Sequence, residues 1–280
     1  MTDADEIREA QRESWVGLSS GWDKWDASIM EQLAPVGEAI IKSLDIRANQ
    51  QHLDIATGTG EPGLSIAKLA PAGRVVLTDF VGEMLDIARR RSQEQGLANV
   101  ETVVCSADDL PFGDSTFDSV SVRFGYMFFP DMAKATKEFV GVLKPGGRLC
   151  ASVWIKPEEN PWTMIVMRAI ASEIELPALQ PGEPNMFRCA APELVSNLYE
   201  NAGLSAVSEW DVPVVKITDS ADEYWEMMSE HASLAVTALK KVDTRTKARI
   251  RQRVISDLSA FYEDGLFRVP GLARCIVGVK

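Results

Sequence analysis

Residues 5–45 place apolar side chains three and four positions apart among charges, the spacing of amphipathic helices, with a loop expected around Ser19-Ser20-Gly21. From His52 the pattern changes. The run His52-Leu53-Asp54-Ile55-Ala56 is short and apolar, as a buried strand is. Thr57-Gly58-Thr59-Gly60 then turns the chain, and residues 61–69 resume helical spacing, with Pro62 acceptable in a first turn. The same unit follows again as strand 74–78, helix 82–95 stopped at Gly96, and strand 100–104. Strand 117–122, helix 132–143, a Pro145-Gly146-Gly147 turn and strand 148–154 continue it. Strands alternating with helices of this length imply βαβ crossovers, so the expected fold is α/β: a doubly wound, mostly parallel, Rossmann-like sheet with helices on both faces.

Beyond Trp154 the prolines Pro157, Pro161, Pro177, Pro181 and Pro184 interrupt the chain. A helix over 192–201 closed by Gly203, a sixth strand over 206–217, helices over 221–241 and 245–262, and a seventh strand over 267–279 complete the order. The last two helices have no sheet partner and are expected to cap the sheet's edge. The chain therefore divides into an N-terminal helical lid, 1–48, and a domain over 49–280 that carries a helical cap at 219–262.

Charge narrows the function. With 29 Lys and Arg against 41 Asp and Glu, the formal net charge is −12, which repels a phosphate backbone and argues against nucleic acid as partner. No stretch approaches the roughly 18 apolar residues of a membrane span. The acidic start, Met1-Thr2-Asp3-Ala4-Asp5-Glu6, is unlike a secretory signal, so a cytoplasmic location is expected. Cys105, Cys150, Cys189 and Cys275 lie far apart, without the spacing of a disulfide framework or a metal site, and no metal is expected.

The chemistry concentrates at Gly58-x-Gly60-x-x-Gly63, a strand-to-helix turn, with Asp79 ending the next strand nineteen residues after Gly60. Glycines let a backbone approach a ligand closely, and an acid at that distance can accept both ribose hydroxyls, so adenosine is the indicated ligand. The glycines alone do not separate nicotinamide cofactors from others. Asp54, at the end of the first strand, would face the turn, where it opposes a pyrophosphate and welcomes an ammonium. S-adenosylmethionine (SAM), which has no phosphate, suits such a site better than NAD does.

Five segments in order resemble the successive motifs of class I SAM-dependent methyltransferases. They are 52–60, Asp79, Ala107-Asp108-Asp109-Leu110-Pro111-Phe112, Phe117-Asp118-Ser119-Val120, and Leu143-Lys144-Pro145-Gly146-Gly147-Arg148-Leu149. The closest similarity is to the branch with the ubiquinone and menaquinone biosynthesis methyltransferases, over residues 50–155. The resemblance implies SAM as cofactor and S-adenosylhomocysteine (SAH) as product. It puts Asp54 with the Gly58 and Gly60 backbone at the methionine moiety, Asp79 on the ribose, Phe80 and Met84 near the adenine, and Ala107 and Asp108 along the adenine edge, and counts Thr57 among the cofactor-binding residues. Ser106 stands where the family often has an aspartate, which leaves Ser106 and Asp108 as alternative adenine contacts. Arg123 occupies the position facing the methionine end and the acceptor. In relatives an aromatic residue before the first strand closes over the cofactor; Trp22 and Trp25 are the candidates, and Trp15 is assigned to packing.

Methyl transfer is an in-line displacement that needs a general base only if the acceptor loses a proton. His52, in a buried strand, is read as structural. His231, on the first cap helix, is the candidate base, and Arg123 the second candidate catalytic residue. Tyr126, Phe128 and Trp154, with Tyr224 from the cap, are expected to wall the substrate pocket. The expected function is transfer of a methyl group from SAM to a carbon or oxygen of an apolar or aromatic small molecule. The alternatives are methylation of nucleic acid or protein, and a non-methylating protein that binds an adenosine cofactor. A homo-oligomer is compatible with the sequence, and the basic run over 240–253 is read as a solvated helix face, with an anionic substrate or partner as the alternative.

Overall fold

A computed structural model describes residues 3–176 and 182–280; Pro177 and Pro181 lie outside the described residues. Three helices open the chain: α1 (Asp3–Val16), α2 (Ser19–Lys24) and α3 (Asp26–Leu44). The loop expected at Ser19-Ser20-Gly21 is instead the first turn of α2, and the chain breaks at Gly17-Leu18 and again at Trp25. Tertiary packing sets both breaks, because α2 lies directly against the backbone of Glu230. Helix α3 buries a stripe of Ile29, Leu33, Val36, Ile40 and Leu44, the three- and four-residue spacing of a helix that covers a sheet.

The alternating unit follows as β1 (Gln51–Ile55), α4 (Gly63–Leu69), β2 (Arg74–Asp79), α5 (Gly82–Glu94), β3 (Val100–Val104), β4 (Phe117–Arg123), α6 (Met132–Val142) and β5 (Leu143–Trp154). Next come α7 (Pro161–Ala171), α8 (Leu194–Asn201), β6 (Ser205–Thr218), α9 (Ala221–His231), α10 (Ser233–Leu239), α11 (Thr244–Leu258), β7 (Tyr262–Glu263) and β8 (Leu266–Val279). The sheet order is β3-β2-β1-β4-β5-β8-β6, with β7 paired to β8. Strands β1 to β5 are parallel, and β8 runs antiparallel to both β5 and β6. The sheet is thus mostly parallel and doubly wound.

Four departures from the sequence pattern bear on the site. Pro161 opens α7 in its first turn, where no amide partner is lost, instead of breaking the chain. The helix expected over 221–241 is two helices, because Ala232 adopts an extended conformation (φ −82°, ψ 106°). Among the described residues there are eight strands, not seven: Asp264 and Gly265, both at positive φ, fold a hairpin that pairs Tyr262 with Phe267. Strand β5 begins at Leu143, so the Pro145-Gly146-Gly147 segment lies inside it next to a bulge in the pairing with β4.

Candidate active site

The chain leaves β1 toward β2 on one side and, after β3, returns to place β4 on the other, so the carboxyl ends of β1 and β4 form the switch point where open α/β sheets hold ligands. A cavity of about 370 Å³ opens there, within the range of small-molecule sites. The segments after four strands line it: Thr57 and Gly58 after β1, Asp79 and Phe80 at β2, Ser106, Ala107 and Asp108 after β3, and Arg123 at the end of β4. Met84 adds one side chain from α5. The backbone is bent to make this mouth. Ala56 and Phe124 hold φ values of 53° and 58°, which side-chain-bearing residues rarely adopt, and Gly58 holds 56° without that penalty.

Beneath the turn, the fully buried Asp54 carboxylate accepts hydrogen bonds from the Thr57 hydroxyl (2.6 Å), the Gly63 amide (3.2 Å) and the Ser121 hydroxyl. Burial raises its pKa to about 6 against these donors. Ser121 in turn meets His52 Nε2 at 2.8 Å, and Ser119 meets Nδ1 at the same distance. Since Ser121 gives its proton to Asp54, Nε2–H donates to Ser121 and Nδ1 accepts from Ser119. Asp54 therefore braces the glycine turn from below and does not line the cavity. The Ser65 amide is held likewise by the Glu61 carboxylate, at 3.2 Å.

Asp79 does reach the cavity. Its oxygens accept from the Gly58 amide and the Val81 amide, both at 3.0 Å, which aims the carboxylate while leaving lone pairs over for a ligand. Burial lifts its pKa to about 6 despite these amides. Ser106 donates to Asp108 at 2.5 Å, and the other Asp108 oxygen takes Arg8 of α1 at 3.1 Å. Arg123 donates to the Met30 sulfur at 3.3 Å; burial lowers its pKa, while Glu61, Asp54 and Asp26 oppose that shift.

The opening helices are fastened over this floor. Asp26 at the start of α3 receives the Thr59 hydroxyl (3.3 Å) and the Arg91 guanidinium, and Asp23 receives Arg90 (2.6 Å) and Arg91 (2.9 Å). On the far side, Glu230 of α9 accepts from Lys24 (2.7 Å) and the Trp25 indole (2.7 Å). Trp25 is thereby turned away from the cavity. Trp15 is not: it lines the wall beside Trp22 and meets Phe128 edge-on at 5.3 Å, so packing and site coincide in that side chain.

Beyond Arg123 the cavity becomes an aromatic chamber. Phe124 stacks on Trp154 (4.2 Å, 11°), Trp154 meets Trp162 at 5.0 Å, and Phe128, Phe129 and Phe187 complete the apolar surface. His231 enters from the end of α9 because the break at Ala232 stops the helix there. Two expected wall residues are elsewhere. Tyr126 is buried in the core, its hydroxyl 3.1 Å from Thr136, and Tyr224 is buried with its hydroxyl donated to the Trp162 carbonyl. Gly60 points inward, against Leu64 and Ala88. Gln32 on the cavity wall was not foreseen, although a glutamine on the apolar stripe of α3 is itself a sequence signal. The basic run is partly neutralised, by Glu173, Asp222 and Asp257.

This sheet order, with its single reversed long strand and its cavity at the switch point, defines the Rossmann-like fold of class I methyltransferases. The chain belongs to the ubiE/COQ5 methyltransferase family, whose model matches residues 22–166. It is 40% identical over 119 residues to a demethylmenaquinone methyltransferase of Thermus thermophilus, covering 42% of this chain and 54% of the relative. It is 38% identical over 127 residues to the ubiquinone/menaquinone biosynthesis C-methyltransferase UbiE of Proteus mirabilis, covering 45% and 51%. The chain thus spans about half the length of the curated relatives it matches. In fold it is similar to the YcgJ protein of Bacillus subtilis, with TM-score 0.57, 21% identity, and 87% of this chain and 97% of that one covered.

Proposed function

We propose that the protein transfers the methyl group of SAM to a carbon or oxygen of an aromatic small molecule of the quinol class. The observation that carries this is the state of the α4 amino terminus. A dinucleotide would seat its pyrophosphate on the first amides of that helix, but Gly63 and Ser65 donate theirs to the protein's own carboxylates, Asp54 and Glu61. An anion has no seat there, whereas an adenosine with a cationic methionine end meets Asp79 and a buried negative charge. Asp79 binds the ribose hydroxyls. Ser106, with its proton committed to Asp108, keeps an oxygen to accept from the adenine amino group, and Phe80 and Met84 pack beside the ring. Arg123 faces the methionine carboxylate.

When bound, SAM supplies an electrophilic sulfonium methyl group. The protein's part is then to hold the acceptor in line and keep water out. Helices α1–α3 act as the lid, fastened by Arg8, Asp23, Asp26 and the Glu230 contacts, and α9–α11 act as the cap. The relatives' names point to ubiquinone and menaquinone biosynthesis, and a quinol ring matches the aromatic lining of the chamber. Among the described residues no helix is long and apolar enough to cross a membrane.

A screen with SAM carrying a labelled methyl group, across quinols, phenols and isoprenoid alcohols, tests the assignment. Label is expected in a quinol or phenol product. Transfer only to isoprenoids, nucleic acid or protein, or no transfer to any acceptor, would contradict it.

A further inference from the structure

In an aromatic chamber, polar groups without partners mark where a ligand must supply them, because a buried donor or acceptor left unpaired is costly. One such group and a neighbouring imidazole sit side by side where α2 meets the end of α9. The first is the Trp22 indole: its ring lines the cavity, and its Nε1–H is buried with no hydrogen-bond partner among the described residues. The second is the imidazole of His231, 7% exposed and on the same cavity, with its ring centroid 6.0 Å from that of Trp22 at 76°.

The tautomer of His231 follows from its hydrogen bond to the backbone. Nδ1 lies 2.7 Å from the Met227 carbonyl oxygen, which can only accept, so Nδ1 carries the proton and Nε2 offers a lone pair. Burial, with Lys216 nearby, pulls the imidazole pKa down to about 4, and the ring stays neutral at physiological pH. The backbones that carry the two side chains are pressed together. Gly21 brings α2 so close that a Cβ there would stand 2.2 Å from the Glu230 carbonyl oxygen and 3.4 Å from the His231 Cα. A donor and an acceptor on adjacent rings of one aromatic chamber are complementary to one chemical group, a hydroxyl, which can accept from the indole and donate to the imidazole.

We infer that Trp22 and His231 form a hydroxyl-recognition pair for the acceptor of the proposed reaction. The pair is a specificity device: Trp22 Nε1–H donates to the hydroxyl oxygen, and His231 Nε2 accepts its hydrogen. His231 thus acts as a neutral hydrogen-bond acceptor, not as a store for a transferred proton. Gln32, 3% exposed, on the same cavity and with its Nε2 also unpartnered among the described residues, offers a further buried donor for a second oxygen substituent. This inference rests on the methyltransferase assignment, since the cavity must hold an acceptor at all.

The test compares 2-naphthol with naphthalene, two planar probes that differ by the hydroxyl, by calorimetry on SAH-saturated protein. Wild type is expected to favour 2-naphthol by about tenfold, the factor a well-made polar contact supplies. Trp22→Phe keeps an aromatic ring without the donor, and His231→Leu removes the acceptor. Each should reduce that preference, the double variant should abolish it, and His231→Gln, which retains an oxygen acceptor, should keep part of it. The readout is the ratio of the two affinities, which a general loosening of the chamber does not shift, and Trp22→Phe serves alone if the His231 variants do not fold. Equal affinity of wild type for the two probes, no 2-naphthol binding to protein that binds SAH, or a preference that survives in the variants overturns the inference. Failure of wild type to bind SAH would instead overturn the methyltransferase assignment.

Discussion

His52 bears on the site without touching it. Its imidazole, fully buried between β1 and β4, passes a hydrogen bond through Ser121 to Asp54, which braces the glycine turn. Burial lowers its pKa from 6.5 to about 3. The native chain therefore cannot take up the proton that the unfolded chain binds below pH 6.5, and stability is lost as pH falls from 6.5 toward 3. Asp54 and Asp79 work in the opposite sense, because their raised pKa values favour the native state as pH falls through 6. The His52 contribution is isolated by comparing wild type with His52→Gln in urea unfolding. Between pH 7 and pH 5 the stability difference should move against wild type by about 2 kcal/mol; parallel curves for the two proteins would refute a neutral buried His52.

At the scale of elements, the cavity depends on helices ending in particular places. Trp25 separates α2 from α3, and its indole is claimed by Glu230. Ala232 separates α9 from α10 and leaves His231 at the cavity wall. Gly21 permits the approach of α2 to α9, so Gly21→Ala tests whether these two elements are locked. Alanine favours an exposed helix by about 1 kcal/mol. Here its Cβ would meet the Glu230 carbonyl, a backbone atom that cannot swing aside, and the overpacking cost of about 1–3 kcal/mol should win. A lower melting temperature and faster proteolysis between α1 and α3 are expected. A variant as stable as wild type or more so would show that α2 is not pressed on α9.

The succession of strands and helices, the glycine turn and Asp79 are legible in the chain because each rests on spacing within a few residues or on alternation of whole elements; the sheet order is not. Which tryptophan faces the cavity is not, because the breaks at Gly17-Leu18 and Trp25 are set by contacts with a segment some 205 residues away. The roles of Tyr126 and Tyr224 escape for a related reason: aromatic residues near a sheet's carboxyl edge serve core and pocket equally well in sequence, and here the partners of both hydroxyls, Thr136 and the Trp162 carbonyl, lie in the interior. Asp54 was expected at the ligand and stands beneath it, since its position on the strand is local information while its three donors come from two separate strand ends and a helix.

For the molecule as a whole, the proposed function places an adenosine without phosphates in the cavity at the switch point, with its ribose on Asp79. Titration calorimetry of SAH and NAD into wild type and Asp79→Ala examines this directly. One SAH should bind per wild-type chain, with affinity lower by about tenfold or more in Asp79→Ala, and NAD should give no binding heat. NAD binding in place of SAH, or equal SAH affinity in the two proteins, would contradict it.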